Sequence, residues 1–187
     1  SGWFPFAEII GHEIKEIANH SKAEFDLSEL DEKVLGSFDD ARIEKIFNRW
    51  MVKPVFKEKE KILKPAIEAY KRGEPVVVLK TLLTEIEGVL QSAHRRKHGK
   101  SAANLKALFT FATASAKERA GTGESLLFPA SFVDYLNAHT FNHFDPDAIG
   151  DIASRHAVGH GAADADSYTQ IRALQAILTL DQLAFYI

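Results

Sequence analysis

The chain has no cysteine. Disulfides, thiolate nucleophiles and zinc sites built on cysteine are excluded with it. It also has no apolar run near the roughly 18 residues that a membrane span requires. The most apolar stretch, Leu174 to Ile187, is interrupted by Thr179, Asp181 and Gln182. Glu8, His12, Glu13 and Lys15 break the first apolar stretch, so no signal peptide is read there. A cytoplasmic protein without membrane contact is the expectation. Nor is there an excess of positive charge. The net charge of -3 argues against a surface that grips nucleic acid everywhere, and leaves room for a local basic patch. A Gly-rich phosphate loop, a Ser nucleophile elbow and a convincing strand are missing too. Ser1-Gly2 stands where a methionine is usual, which points to a processed chain or a fragment.

What is present is ordinary globular material. Of 187 residues, 45% are hydrophobic and 26% charged, which excludes disorder and fibrous repeats. That length fits one domain, or one domain carrying a helical extension. The periodicity is helical nearly throughout, so the fold class expected is all-α. Phe6, Ile9, Ile10, Ile14 and Ile17 mark one face of a first helix opened by Pro5. Asp26 starts a short acidic helix, and Asp39 and Asp40 cap a third in which Ile43, Ile46, Phe47 and Trp50 are the buried stripe. Pro54 opens a helix carrying the alternating charges Lys57 to Lys61, a pattern that marks a solvated face rather than a site. After Gly73 and Pro75 a long helix runs to about His98 through Leu79, Leu82, Leu83, Ile86, Val89 and Leu90. Ser101 is read as the cap of the next helix, and Gly121-Thr122-Gly123 as the clearest loop. Helices follow from about Phe128 to Phe144, from Pro146 to His160, and from Asp166 to the end. Residues 1–73 read as an N-terminal helical extension and 74–187 as the bundle, a boundary drawn from composition alone.

Six of the eight histidines fall into His-x-x-x-His pairs: His94 with His98, His139 with His143, and His156 with His160. On a helix that spacing places two imidazoles on one face, as in a two-histidine metal site. A third ligand is needed, and Asp145 and Asp147 lie close to the second pair. The plainer account is that histidine suits a helix C-terminus and that Gly99 and Gly161 end two of these helices. Arg95, Arg96 and Lys97 form the densest positive charge. They fit a phosphate backbone, or equally a basic helix end that complements the helix dipole.

The segment Arg155-His156-Ala157-Val158-Gly159-His160-Gly161 places an arginine five residues before a histidine, ahead of a last amphipathic helix. That pattern resembles the HEPN superfamily of all-helical domains, whose ribonuclease members carry Arg, four to six residues, then His, often with a polar residue directly after the Arg. The likeness covers about Val76 to Ile187. Ala162 stands where some toxin-type members place a Tyr two residues after the His. The resemblance implies a HEPN-type bundle behind an extra N-terminal layer, a homodimer, and metal-independent RNA cleavage without a cofactor, in bacterial defence or stress response. It implies Arg155 and His160 as catalytic, with His156 orienting the pair or binding phosphate. A sensor domain ahead of the chain or an antitoxin partner would restrain such a nuclease.

The chemistry suits these residue types. Histidine is the usual acid or base near neutral pH, and arginine offers two parallel donors to phosphate. On an unbroken helix Arg155 and His160 would stand about 140° apart, so a break at Gly159 or a second protomer is needed to bring both to one phosphate. Glu87, before Gly88, is the candidate polar partner of Arg155 across the bundle, and is grouped with Arg95, Arg96 and Lys97 at the substrate. Solvent exposure is the ordinary explanation for Glu85 and Glu87, and pairing of Arg155 with Asp151 or Asp181 is the structural alternative to catalysis. Two other functions stay open: a non-catalytic helical module that binds nucleic acid or protein, and a hydrolase using a metal held by paired histidines.

Overall fold

Side chains at the helix ends decide where each element begins. The computed structural model describes residues 3–9, 27–120, 129–142 and 154–187, and no strand occurs among them. Helix α1 (Leu27–Gly36) leads into α2 (Asp40–Met51), where the Asp39 carboxylate accepts the Arg42 amide at 2.8 Å as an N-cap should. Its stripe of Ile43, Ile46, Phe47 and Trp50 is buried as the spacing predicts. The helix expected from Pro54 is split into α3 (Pro54–Lys57) and α4 (Glu60–Lys71). The split lets Phe56 turn onto Trp50, with ring centroids 5.7 Å apart, while Lys59 reaches Glu85 at 2.5 Å. Lys57, Glu58 and Lys61 stay in solvent.

Gly73 closes α4 in the left-handed region at φ +71°, its own amide bonding Tyr70 O and that of Glu74 bonding Ala69 O. Helix α5 (Pro75–His98) then starts on its proline, and Gly99 at φ +73° ends it. Val76 and Val77 lie exposed in the first turn, helical despite their β-branching. Helix α6 (Leu105–Ala120) is capped by Asn104, whose Oδ1 accepts the Ala107 amide at 2.9 Å, and not by Ser101. Ser101 accepts both Nε and Nη2 of Arg95 instead, at 3.3 and 3.1 Å. Helix α7 (Pro129–Tyr135) runs into a π-helical turn, Leu136–Thr140, closed by Phe141 N to Leu136 O at 2.7 Å. Helix α8 (Arg155–Gly159) and a 3₁₀ turn at Ala165–Ser167 precede α9 (Gln170–Tyr186). The last helix begins four residues later than expected because Thr169, not Asp166, takes the cap, its Oγ1 accepting the Arg172 amide.

The start of the chain differs most. Over 3–9 it forms turns rather than helix, with Phe4, Phe6 and Ile9 buried and the Ala7 amide bonded to Gln182 Oε1 at 2.8 Å. Two aromatic rings two residues apart can both point inward only if the backbone is not helical. Ile10, Ile14 and Ile17 lie outside the described residues, as do the Gly121–Gly123 loop and most of the helix expected from Pro146.

Helix α5 is the hub, packing against α4, α6, α8 and α9. Helix α9 is buried on nearly every side from Ala173 to Ala184, as expected of a helix inside a bundle rather than on it. One hydrophobic cluster runs from Phe4 to Tyr186 and takes side chains from both sides of Gly73. Each fully buried Leu, Ile or Phe in it contributes about 1.5–3 kcal/mol.

Polar groups inside α9 are matched one by one. Asp181, 1% exposed, accepts Arg49 Nε at 3.1 Å and Nη2 at 2.7 Å, and Trp50 Nε1 at 3.0 Å. Arg49 also reaches Glu8 at 2.7 Å. Burial pushes the Asp181 carboxyl above the usual carboxylate range, and the Arg49 guanidinium opposes that rise. Replacing Arg49 with Met strands this carboxylate and should cost about 3 kcal/mol in urea unfolding at neutral pH. Pairing Arg49→Met with Asp181→Leu should recover most of the loss. The deficit of the single variant should narrow as pH falls toward about 4, because the native state takes up the Asp181 proton at higher pH than the unfolded chain does.

Candidate functional site

Helix α8 has only five residues, too few to persist without defined ends. Both ends are built. Ser154 is buried and its Oγ accepts the Ala157 amide at 3.2 Å. At the other end Gly161 takes φ +71°, the Gly161 amide bonds Val158 O at 3.2 Å, and the Ala162 amide bonds Ala157 O at 2.8 Å. This is the paired-bond C-terminal motif that glycine permits. Arg155 is thereby fixed at the first helical position and His160 at the C-cap.

The helix does not break at Gly159 as the five-residue spacing required: Gly159 is its last residue, His160 keeps a right-handed helical conformation, and the chain turns only at Gly161. Arg155, Val158, Gly159, His160 and Gly161 face Lys80, Leu83 and Thr84 of α5 across an open groove of about 540 Å³. His160 is exposed there. His156 is half-buried and does not contribute to the groove lining. Lys80 and Thr84 were not singled out from the sequence. The signal was available, since Lys80, Thr84 and Glu87 form a polar row at helical spacing beside the apolar stripe of α5.

Arg155 Nη2 lies 2.6 Å from Glu87 Oε2, with the two side chains 31% and 29% exposed. A cation in the first turn of a helix opposes the helix dipole, and Glu87 offsets that. Arg155 Nε is buried with no acceptor among the described residues. Arg155 is therefore not the partner of Asp181, which is taken by Arg49 and Trp50. Asp151 lies outside the described residues. Glu85 is not a solvated glutamate either, being paired with Lys59 and only 16% exposed.

Arg95, Arg96 and Lys97 are not brought to this groove. Lys80 and Arg96 are sixteen residues apart on one helix, about 24 Å along its axis. Arg96 pairs with Glu58 at 3.0 Å and Lys97 with Glu118 at 2.5 Å, while Arg95 is held by Ser101. The basic run thus points three ways around the helix end.

The first histidine pair forms a packed structural group. The His94 and His98 rings pack 4.6 Å apart and both sit against Phe111, with His94 Nδ1 2.8 Å from Lys100 O. His139 lies in the π-helical turn against Tyr135, ring centroids 5.0 Å apart. Burial, with Arg172 adding to it, holds the His139 pKa below its ordinary value. His143, Asp145 and Asp147 lie outside the described residues. Among the described residues no group of three His, Asp or Glu side chains could hold a metal ion, and no helix is long and apolar enough to cross a membrane.

No protein-family model, no curated protein and no solved structure matches this chain.

Because an L side chain is strained at positive φ, Gly161→Ala should destabilise the protein by about 1–2 kcal/mol, and tilt α8 so that the His160 imidazole resonances shift. Thermal unfolding and the histidine region of a proton–nitrogen correlation spectrum read both effects.

Proposed function

We propose that the chain is a metal-independent endoribonuclease of HEPN type, acting on RNA as a homodimer in a bacterial cytoplasm, in defence or stress response. One observation carries this reading: Arg155 and His160, five residues apart, converge with Lys80 on a single groove. Arg155 and Lys80 place positive charge where a phosphodiester would lie, and the exposed His160 stands beside them. In the reaction a base removes the ribose 2′-hydroxyl proton, and the oxygen attacks the adjacent phosphorus. The leaving 5′-oxygen takes a proton from an acid, which leaves a 2′,3′-cyclic phosphate. Two such sites facing each other in a dimer would supply one imidazole as base and the second as acid. His156 orients the pair from behind. Arg95, Arg96 and Lys97 would meet RNA only where a strand extends along α5 beyond the groove. A nuclease of this kind needs restraint, from a sensor domain or an antitoxin.

A specific feature favours a second reading. Glu87 already occupies Arg155 at 2.6 Å, as in a module that binds RNA or protein through this groove without cutting. Under the first reading an incoming phosphate displaces Glu87.

Incubation of a mixed single-stranded RNA with excess EDTA separates the two. The nuclease reading expects cleavage to cyclic phosphate ends by wild type, and a loss of about 10²–10⁴-fold in His160→Ala. Arg155→Ala should lose both cleavage and affinity. Intact RNA retained by wild type and released by Arg155→Ala supports the binding module instead. Cleavage that chelator abolishes would overturn both readings in favour of a metal hydrolase.

A further inference from the structure

At the far end of α5 from the groove, a second cavity of about 300 Å³ opens between the α2–α3 turn, α5, α6 and the end of α9. Its floor is aromatic and buried: Phe56, Phe111 and Tyr186. The Tyr186 hydroxyl accepts Gln182 Nε2 at 3.2 Å. Four cationic side chains line the cavity against one acidic side chain, in a chain whose net charge is -3. Arg96 and Lys97 each have an acid of their own, Glu58 and Glu118. Among the described residues Arg119 has no acidic partner, and Lys53 donates to the main-chain oxygen of Ile187 at 3.1 Å and to no acidic side chain. Burial, and then the nearby charge of Arg119, lower the Lys53 pKa. Two like charges are therefore held near each other over an apolar floor, an arrangement that an anion entering between them would relieve.

We infer that this cavity binds a small organic monoanion, its carboxylate between Lys53 and Arg119 and its apolar body on Phe56, Phe111 and Tyr186. The volume sits at the small end of ligand pockets and suits a compact molecule rather than a polymer. A bare inorganic anion would leave the aromatic floor unused. The site goes beyond the RNA reading and does not depend on it, because none of the groove residues lines this cavity.

Calorimetric titration of the full chain with 4-phenylbutyrate tests it, with 4-phenylbutanol and inorganic phosphate as comparisons. Saturable binding is expected for the carboxylate, with the alcohol and phosphate each at least about tenfold weaker. Arg119→Gln and Lys53→Met should each weaken 4-phenylbutyrate by about tenfold, the loss of one charge-assisted hydrogen bond. Each variant is read only where its thermal midpoint matches wild type, and either one suffices. The inference is overturned by an absence of saturation, by equal binding of the alcohol or of phosphate, or by an affinity unchanged in a folded variant. Displacement of bound 4-phenylbutyrate by a short RNA would also overturn it and assign the cavity to the path of a nucleic acid strand.

Discussion

A single buried carboxylate constrains how this chain closes. Asp181 sits in the most enclosed helix, α9, where a charge is tolerated only if its partners arrive from elsewhere in the sequence. They come from α2: the Arg49 guanidinium in a two-bond fork and the Trp50 indole. Glu8 extends the network by joining Arg49 to Arg42 along α2, and the Ala7 amide beside it bonds Gln182 of α9, so the initial segment is fixed against both helices. An apolar pair would hold α2 to α9 as strongly, because desolvation offsets most of what an ion pair gains. The directional bonds instead permit only one rotation and one register of α2 against α9. The described residues before Gly73 are thus tied by specific bonds, as well as by shared hydrophobic surface, to the last helix.

That closure positions the candidate site indirectly. With α9 fixed, α5 lies against it along its length, and α8 is pressed onto the solvent side of α5. The five-residue α8 has almost no helical stability of its own, so its caps at Ser154 and Gly161 and its ion pair to Glu87 carry the geometry. Arginine in the first turn is locally unfavourable, and the protein retains it with an acid from another helix beside it. A local cost is thus offset by a tertiary contact, at the mouth of a groove that also holds an exposed histidine.

Much of the fold was legible in the sequence. Leu79, Leu82, Leu83, Ile86 and Val89 at helical steps gave α5, and the glycines at 73, 99 and 161 ended helices where expected because only they take positive φ without strain. Asp39 was readable as a cap. Ser101 was not, since Asn104 competed for that role and Arg95 engaged the Ser101 hydroxyl, a choice made across a turn rather than within it. The initial segment misled because Phe6 and Ile9 fit helical spacing while their burial with Phe4 is satisfied by turns. In the candidate site, Arg155 and His160 were nameable through the resemblance, and Glu87 as a polar partner on α5. The absence of Arg95, Arg96 and Lys97 from their groove was not, because sequence proximity on a long helix hides both axial distance and direction around the axis.

The sequence by itself determined what local physics controls: an all-helical fold class, the faces its helices bury, the glycine ends, and an arginine and a histidine five residues apart ahead of a glycine stop. Tertiary structure alone decided the pairings. Asp181 took Arg49 rather than Arg155, Arg155 took Glu87, Lys80 joined the groove, and Arg96 and Lys97 came to line a separate aromatic cavity. Periodicity fixes which side of a helix is buried, but which charge meets which depends on the rotation and register of helices far apart in sequence, and those are set only when the core packs.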